Sequence, residues 1–260
     1  MELPHQQVVT NDDIININIY QDIISFLKRL AEKPIKLTAI GNISLRDIEG
    51  LLAQLLTTKH VIDEHVKYNW KVRSEWDLQT LTQIKILLLV MDIIHKRKGY
   101  ICLNKTGKTF LSQSPLQQYE QIVLTFWNKC NWAYFSNSNQ VGPSSLPEVL
   151  QDIRSHLWKL FLQKGTSWID YPTFCKSARD YFHLNEYLRE PYAPEDREVR
   201  FLDIEYDLFK RNLELFGCIE IEEIQGNTNG MPASAVSDPH QLDYIFLQKP
   251  RANKRKIKTN

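Results

Sequence analysis

The fold of this chain is decided by one stretch, WDLQTLTQIKILLLVMDIIHKRKGYICLNKTGKTFL, at residues 76–111. Its first part places leucine and isoleucine at intervals of three and four, and further apolar residues widen that stripe to almost the whole circumference. This pattern predicts a long core helix that begins at Trp76. The polar positions of the helix form a candidate face for reading base edges, although an ordinary exposed face is the commoner explanation: Gln79, Thr82, Gln83 and Lys85.

The second part of the stretch predicts a hairpin. Residues His95 to Gly99 have the composition of a turn, and Tyr100 to Leu103 alternate as a strand does. The segment from Lys105 to Lys108 predicts a second turn that leads into Phe110 and Leu111. A helix that leads into a tight two-stranded element is the end of a winged helix.

Further helices are predicted on both sides of this stretch. One runs from about Asn11 to Glu32 and ends before Pro34, a leucine-rich helix follows Ser44, and Pro115 can start another. The second half repeats the order more loosely, with helices at 150–163, 172–187 and 201–216 and strands at 218–224 and 242–247. The predicted fold class is therefore mainly α with short β-hairpins (α+β), arranged as tandem winged-helix-like modules.

A loop-forming segment rich in Ser, Asn, Gly and Pro divides the chain in two. The predicted organisation is a flexible leader at 1–10, a helical domain with the first winged-helix-like module at 11–135, a linker at 136–147, a second winged-helix-like module at 148–248 and a basic disordered tail at 249–260.

Composition and targeting signals predict an intracellular globular protein. Of the 260 residues, 43% are apolar and 11% aromatic, which is enough to fill a core. The four cysteines lack metal-ligand spacing and are interpreted as reduced thiols. The longest apolar run, Ile86 to Met91, is far too short to span a bilayer, and no signal peptide is evident. We therefore predict a cytoplasmic location and no membrane contact.

Three local patterns resemble a poorly characterised set of bacterial, plasmid and phage proteins. They are Lys36-Leu37-Thr38-Ala39-Ile40-Gly41-Asn42, Leu103-Asn104-Lys105-Thr106-Gly107-Lys108, and Phe126-Trp127 with Trp132-Ala133-Tyr134. In that family a Leu-Thr-x-x-Gly-Asn-Leu-Pro element precedes a winged-helix-like module that ends in Leu-Thr-x-x-Gly, and a similar layout occurs in the accessory domain of some superfamily 2 helicases. This chain has Asn104 in place of the threonine and Ser44 in place of the proline. The resemblance implies a fold and brings no catalytic residue.

Positive charge is concentrated in the hairpin region, residues 93–119, which contain no carboxylate, and in the C-terminal tail. Clustered cations can neutralise phosphates, so the candidate nucleic-acid-binding residues are Lys96, Arg97, Lys98, Lys105, Lys108, Lys254, Arg255 and Lys256. The hairpin lysines are expected at two turns on the same end of one hairpin. A solvated turn and a solubilising tail are the alternatives.

The second module differs because residues 185–223 hold twelve acidic and five basic side chains. An acidic surface repels nucleic acid and favours a protein-binding or packing role. The tryptophans and phenylalanines at 127, 132, 158, 161 and 168 could stack on bases, but at helical spacing they are more often core.

No pattern predicts an enzyme, a cofactor, a metal or a small-molecule substrate. Gly107-Lys108-Thr109 matches the end of a phosphate-binding loop, but Cys102 stands where its first glycine is needed. His60 and His65 are more simply explained as loop residues than as metal ligands. The leading hypothesis is a non-enzymatic protein whose first module and tail contact nucleic acid, with duplex DNA as the expected form, while the second contacts a protein. The alternative is an accessory subunit of a helicase- or nuclease-containing assembly that contacts only proteins.

Overall fold

A computed structural model of the chain describes residues 10–59, 62–63, 67–69, 71–135, 145–163, 168–184, 213–218, 220–224 and 243–247. It divides into two compact units, Met1–Cys130 and Asn131–Asn260. The described residues are mostly helical and include two three-stranded antiparallel sheets, so the prediction of an α+β protein is confirmed. None of the described helices has the length and apolar character needed to cross a membrane.

The first unit contains six α-helices, one 3-10 helix and three strands among its described residues. In chain order they are α1 (Asn11–Ile15), α2 (Asn18–Glu32), β1 (Ile35–Lys36), α3 (Leu45–Leu52), the 3-10 helix (Glu75–Asp77), α4 (Gln79–Val90), β2 (Ile94–Arg97), β3 (Tyr100–Leu103), α5 (Lys105–Leu111) and α6 (Pro115–Lys129). The sheet has the order β1-β3-β2, and both pairs of strands are antiparallel.

The core of this unit forms where α2 packs on β3 and α5 while α4 packs on α6. The amphipathic helix α2 buries Phe26 and Leu27 completely, and α4 buries Leu81 and Leu88 in the same way. Each face follows the three-and-four spacing of the sequence, because that spacing places apolar side chains on one side of a helix. The long core helix is therefore confirmed, although it begins at Gln79 and not at Trp76.

The first predicted helix is two helices, because the chain breaks at Asn16 and Ile17. Thr10 caps α1: its side chain accepts a hydrogen bond from the Asp13 amide at 3.3 Å, and the Asp13 carboxylate accepts one from the Thr10 amide at 2.9 Å. Helix α2 then ends at Glu32, as its following Lys33-Pro34 predicts.

Residues 105–111 form a helix, so the prediction of a second turn at Lys105 to Lys108 is wrong. Asn104 caps this helix by accepting a hydrogen bond from the Gly107 amide at 2.8 Å. Gly107 is present for packing: a Cβ there would lie 2.5 Å from the carbonyl oxygen of Ile93 and 2.4 Å from Leu103 Cδ1. A glycine inside a short polar segment suggested a turn, whereas this one permits close approach of α5 to the end of α4.

The second unit contains a 3-10 helix (Trp132–Phe135), α7 (Leu146–Asp152), α8 (Arg154–Gln163), β4 (Trp168–Asp170), α9 (Tyr171–Tyr181), β5 (Glu220–Ile224) and β6 (Asp243–Leu247). Its sheet has the order β4-β6-β5, again antiparallel throughout. The two strands of the predicted hairpin are confirmed within two residues. Strand β4 was not predicted, and the helix predicted at 150–163 is interrupted at Ile153.

The division between the units falls five residues before the predicted domain end at 135. The Trp132 amide donates to the Gln151 side chain at 2.9 Å, and Asn131 contacts Glu148 at 3.4 Å, so residues 131–135 are tied to α7. Most of the helix predicted at 201–216 and the whole tail, with Lys254, Arg255 and Lys256, lie outside the described residues.

Candidate nucleic-acid interface

The tip of the β2-β3 hairpin presents three adjacent cations. Strand β2 extends to Arg97, which pairs with Tyr100, so the turn consists of Lys98 and Gly99 alone and not of the five residues predicted. Their φ values of 48° and 77° are those of a type I′ turn, which glycine favours in its second position. Lys96, Arg97 and Lys98 are exposed, and none forms an ion pair with a residue that the structure describes.

Lys105 and Lys108 are also exposed but lie elsewhere. They belong to α5, which follows Leu103, and Leu103 pairs with Ile94 at the opposite end of the hairpin from its tip. The four residue pairs of the hairpin span three steps of about 3.3 Å each, so its two ends lie about 10 Å apart. The expectation that all five cations lie at one end of the hairpin is therefore wrong, and only the tip residues form a contiguous group.

A tight turn at residues 37–43 lies beside the hairpin tip. Thr38 closes the turn through its carbonyl, which accepts from the Gly41 amide at 2.9 Å, and through its amide, which donates to the Asn42 carbonyl at 2.7 Å. Gly41 has a φ of 84°, which accounts for the glycine in the Leu-Thr-x-x-Gly element. The Leu37 amide donates to the carbonyl of Gly99 at 2.8 Å and so fastens the turn to the hairpin.

A buried ion pair between the 3-10 helix and the middle of α4 holds the turn in place. Lys85 Nζ lies 2.6 Å and 2.8 Å from the two carboxylate oxygens of Glu75, and their side chains are only 8% and 1% exposed. Glu75 also accepts a hydrogen bond from the Ile43 amide at 2.6 Å, and Lys85 donates to the Gly41 carbonyl at 3.4 Å. Because a buried charge needs a partner and further hydrogen bonds, this pair fixes three segments in one arrangement.

The hypothesis that α4 reads base edges is wrong for three of its four residues. Thr82, Gln83 and Lys85 are each less than 9% exposed, and only Gln79 is half-buried. Thr82 donates to the Glu75 carbonyl at 3.4 Å, and Lys85 is held by Glu75. Side chains with these partners inside the unit cannot reach a groove, so the polar side of α4 is an interior surface.

Two large apolar side chains that the sequence reasoning missed are strongly exposed next to this arrangement. Ile40 is 82% exposed at the top of the 37–43 turn, and Trp76 is 68% exposed on the 3-10 helix. Trp76 was assigned to the core helix. The signal that could have placed it outside is the Ser74-x-x-Asp77 pattern, which forms a capping box and starts a separate 3-10 turn before α4 begins.

No protein-family model matches this chain, and comparison with the curated proteins and with the solved structures finds no significant match. The resemblance noted over Lys36 to Tyr134 therefore stays a prediction carried by its motifs. Those motifs have structural explanations here. Asn104, where the family has threonine, is a helix cap, and either residue can accept the capping hydrogen bond.

The other candidate positions are core, structural or outside the described residues. Trp132 is buried and Trp127 and Trp158 are half-buried, while nothing is described for the side chains of Phe161 and Trp168. No group of three His, Cys, Asp or Glu side chains in the described ranges is arranged to hold a metal. The cluster around His60 and His65 lies mostly outside those ranges.

Two buried titratable groups belong to the first unit's framework. Asp22 accepts hydrogen bonds from the amides of Leu56 and Thr57 and from the Thr57 hydroxyl, at 2.6, 2.9 and 2.5 Å. Burial nevertheless raises the pKa of the Asp22 carboxyl, with these hydrogen bonds acting in the opposite direction. Burial also raises the pKa of the Cys130 thiol to about 12, so that this cysteine is not a nucleophile at neutral pH.

Proposed function

We propose that this chain is a non-enzymatic nucleic-acid-binding protein whose first unit is a winged-helix-type module with the β2-β3 hairpin as its wing. The order helix, strand, helix, helix, hairpin supports this, as does the sheet order β1-β3-β2. In the second unit the sheet order β4-β6-β5 follows the same scheme, which supports a second module of that type.

The observation that carries the proposal is the exposed Lys96-Arg97-Lys98 group at the hairpin tip. Three cations without described ion-pair partners protrude on a rigid two-residue turn, in a segment of 27 residues that contains no carboxylate. Cations placed in this way can displace counterions from a phosphate backbone, and affinity should then fall steeply with salt. Lys254, Arg255 and Lys256 of the tail would add sequence-independent affinity in this proposal.

The test is a salt titration with two matched variants of the full chain. Arg97→Glu/Lys98→Glu changes the tip, and Lys105→Glu/Lys108→Glu changes the opposite end of the hairpin. Each variant takes the net charge from +1 to −3, so a general charge effect would weaken both equally. Binding to fluorescein-labelled DNA, single-stranded and duplex, is measured by anisotropy between about 50 and about 200 mM salt.

The tip variant should bind about tenfold more weakly or worse at low salt and show a shallower salt dependence, by roughly one ion per lost phosphate contact. The control variant should stay closer to the wild type. Absence of wild-type binding to either DNA at low salt would refute the proposal. It would leave the alternative, a subunit that contacts only proteins within a helicase- or nuclease-containing assembly.

The second unit is proposed to contact a protein. Its support is the charge of the chain: Glu220, Glu222 and Glu223 lie on β5, and residues 185–223 are predominantly acidic. A nucleic acid would be repelled by such a segment, whereas a basic protein surface would be attracted to it. Cross-linking of the full chain in its native host, with and without Glu220, Glu222 and Glu223 changed to Gln, tests this assignment.

A further inference from the structure

Ile40 and Trp76 are the most exposed large apolar side chains described in the first unit, at 82% and 68%. Single exposed apolar residues are common on protein surfaces, but a tryptophan left mostly in water is not. Its indole offers a large planar face, which in contact with a partner contributes far more than an average side chain.

Both residues are held on rigid backbone. Trp76 lies between the buried Glu75 and the Asp77 carboxylate, which accepts from the amides of Arg73 and Ser74 at 2.7 and 3.0 Å. Ile40 lies inside the Thr38 turn, whose ends are joined by the Leu37–Ile43 bridge. Neither side chain is presented by a loose segment, so little further ordering is needed when it makes a contact.

The backbone segments that carry the two residues are bonded to each other beside the hairpin tip. Lys85 Nζ binds the Glu75 carboxylate, next to Trp76, and the Gly41 carbonyl, next to Ile40. On the other side of the turn, Lys96 Nζ lies 3.8 Å from the position a Cβ would take on Gly41. The contacts therefore connect Glu75, the neighbour of Trp76, through Lys85 and Gly41 to Lys96, the first cation of the tip.

The charge around this surface is positive. Lys71 and Arg73 are exposed just before Trp76, and the tip cations lie beyond the turn. The nearby carboxylates of Asp77 and Asp47 are engaged with backbone amides, since Asp47 accepts from Lys36 at 3.1 Å. An aromatic face flanked by cations fits an anionic partner that has flat apolar groups of its own.

We infer that this surface binds single-stranded nucleic acid, with Trp76 stacked on an unpaired base, Ile40 packed beside it and Lys96, Arg97 and Lys98 on the phosphates. This inference rests on the proposed function. A duplex read through α4 is disfavoured because Thr82, Gln83 and Lys85 are buried, whereas stacking needs only an exposed ring and an unpaired base. The expected ligand therefore differs from the duplex DNA that the sequence suggested.

The experiment titrates full-length protein into labelled strands of about 15 nucleotides, which matches the usual footprint of such sites. DNA and RNA strands of one sequence are compared with the matching DNA duplex, because both single strands offer an unpaired base and a phosphate. The variants are Trp76→Ala, Trp76→Phe as the conservative change, and Tyr181→Ala as a control with an equally exposed aromatic ring in the other unit.

The wild type should prefer the better-bound single strand over the duplex. Trp76→Ala should weaken that binding by roughly 5- to 150-fold, the equivalent of about 1–3 kcal/mol per stacked base. Trp76→Phe should recover much of the loss and Tyr181→Ala should cause none. Circular dichroism is used to check that each variant is folded. We expect all of them to fold, because both aromatic rings are mostly exposed and contribute little to the core.

Equal binding of duplex and single strands, with no effect of Trp76→Ala, would overturn the inference and leave the proposed function intact. No binding of any nucleic acid by the wild type would overturn both. A loss of affinity in Trp76→Ala that Trp76→Phe does not recover, in a folded protein, would also refute a stacking role.

Discussion

Replacing Lys85 by Met should strongly destabilise the first unit. The substitution keeps the length of the side chain but leaves the Glu75 carboxylate, 1% exposed, with one donor, the Ile43 amide at 2.6 Å. Stranding a buried charge in this way costs about 3–5 kcal/mol. For a unit of this size that corresponds to a fall in Tm of roughly 10–20 °C.

Changing the other partner of the ion pair, Glu75→Gln, should destabilise the first unit less. The neutral amide oxygen can still accept from Ile43 and from the Lys85 ammonium, which also keeps its contact of 3.4 Å to the Gly41 carbonyl, so the buried cation is not left without a partner. Loss of a charged hydrogen-bond partner costs about 1.5–3 kcal/mol. In the double variant both charges are gone, so its cost should be smaller than the sum of the single costs by about 2–3 kcal/mol.

The assay is urea denaturation of the four proteins, combined with amide hydrogen exchange at Ile43. The exchange rate of the Ile43 amide proton reports on its hydrogen bond to the Glu75 carboxylate, and it does not depend on how the second unit unfolds. Additivity of the two single changes to within about 0.5 kcal/mol would refute the reasoning. So would an unchanged Ile43 exchange rate in Lys85→Met.

Three further outcomes follow from buried groups and can be checked on the purified protein. Gly107→Ala should lower the free energy of unfolding by about 1–2 kcal/mol, because its Cβ would lie 2.5 Å from the Ile93 carbonyl oxygen and the cost of this overpacking exceeds the gain from the helix preference of alanine. Gly50→Ala in α3 is the control: no atom lies within 4 Å of the new Cβ, so this change should raise the free energy of unfolding by up to about 1 kcal/mol. Equal effects of the two changes in urea denaturation would contradict the prediction. Because burial raises the pKa of Asp22 above 3.8, the folded state binds that proton more tightly than the unfolded state, so the stabilising effect of protonation is present below pH 3.8 and is lost as the pH rises through the folded pKa. The free energy of unfolding of the wild type should therefore rise relative to that of Asp22→Asn on acidification. A constant difference between the two proteins in urea denaturation at each pH would argue against this. Cys130, with a pKa of about 12, should resist iodoacetamide at pH about 8 until the protein unfolds, and rapid native labelling seen by mass spectrometry would be inconsistent with its burial.

The helices with regular apolar spacing could be predicted from the sequence because a helix that buries one face needs apolar residues at that spacing. Helices α2, α4 and α6 follow that rule, and Pro115 marks the start of α6 as expected. Helix boundaries that depend on a few local hydrogen bonds were harder to predict. The 3-10 turn before Gln79 begins at a capping box that satisfies only a few amides, and at the break the Asn16 side chain donates to the Asp12 carbonyl at 2.7 Å; such patterns are short and common.

For the candidate site, the sequence predicted only the most local arrangement. Lys96, Arg97 and Lys98 are neighbours in sequence and lie together at the tip, whereas Lys105 is close in sequence but separated from them by the length of a hairpin. The burial of Lys85 depends on Glu75, ten residues earlier, and on Gly41, forty-four residues earlier. A pattern of single residues carries no information about partners at such distances.

The positions that define the family-like motifs are the ones that the fold requires, and this separates fold from function in the first unit. In Leu103-Asn104-x-x-Gly107, the Asn caps a helix and the Gly permits the contact with Ile93. In Leu37-Thr38-x-x-Gly41, the Thr38 hydroxyl accepts a hydrogen bond from the Asn42 amide at 3.1 Å and the Gly takes a positive φ. The unspecified positions are all exposed, and Ile40 occupies one of them in the turn that is bonded to the hairpin. Proteins that share the motifs would therefore share the scaffold and differ in what it binds, and the residue at position 40 should vary with the ligand.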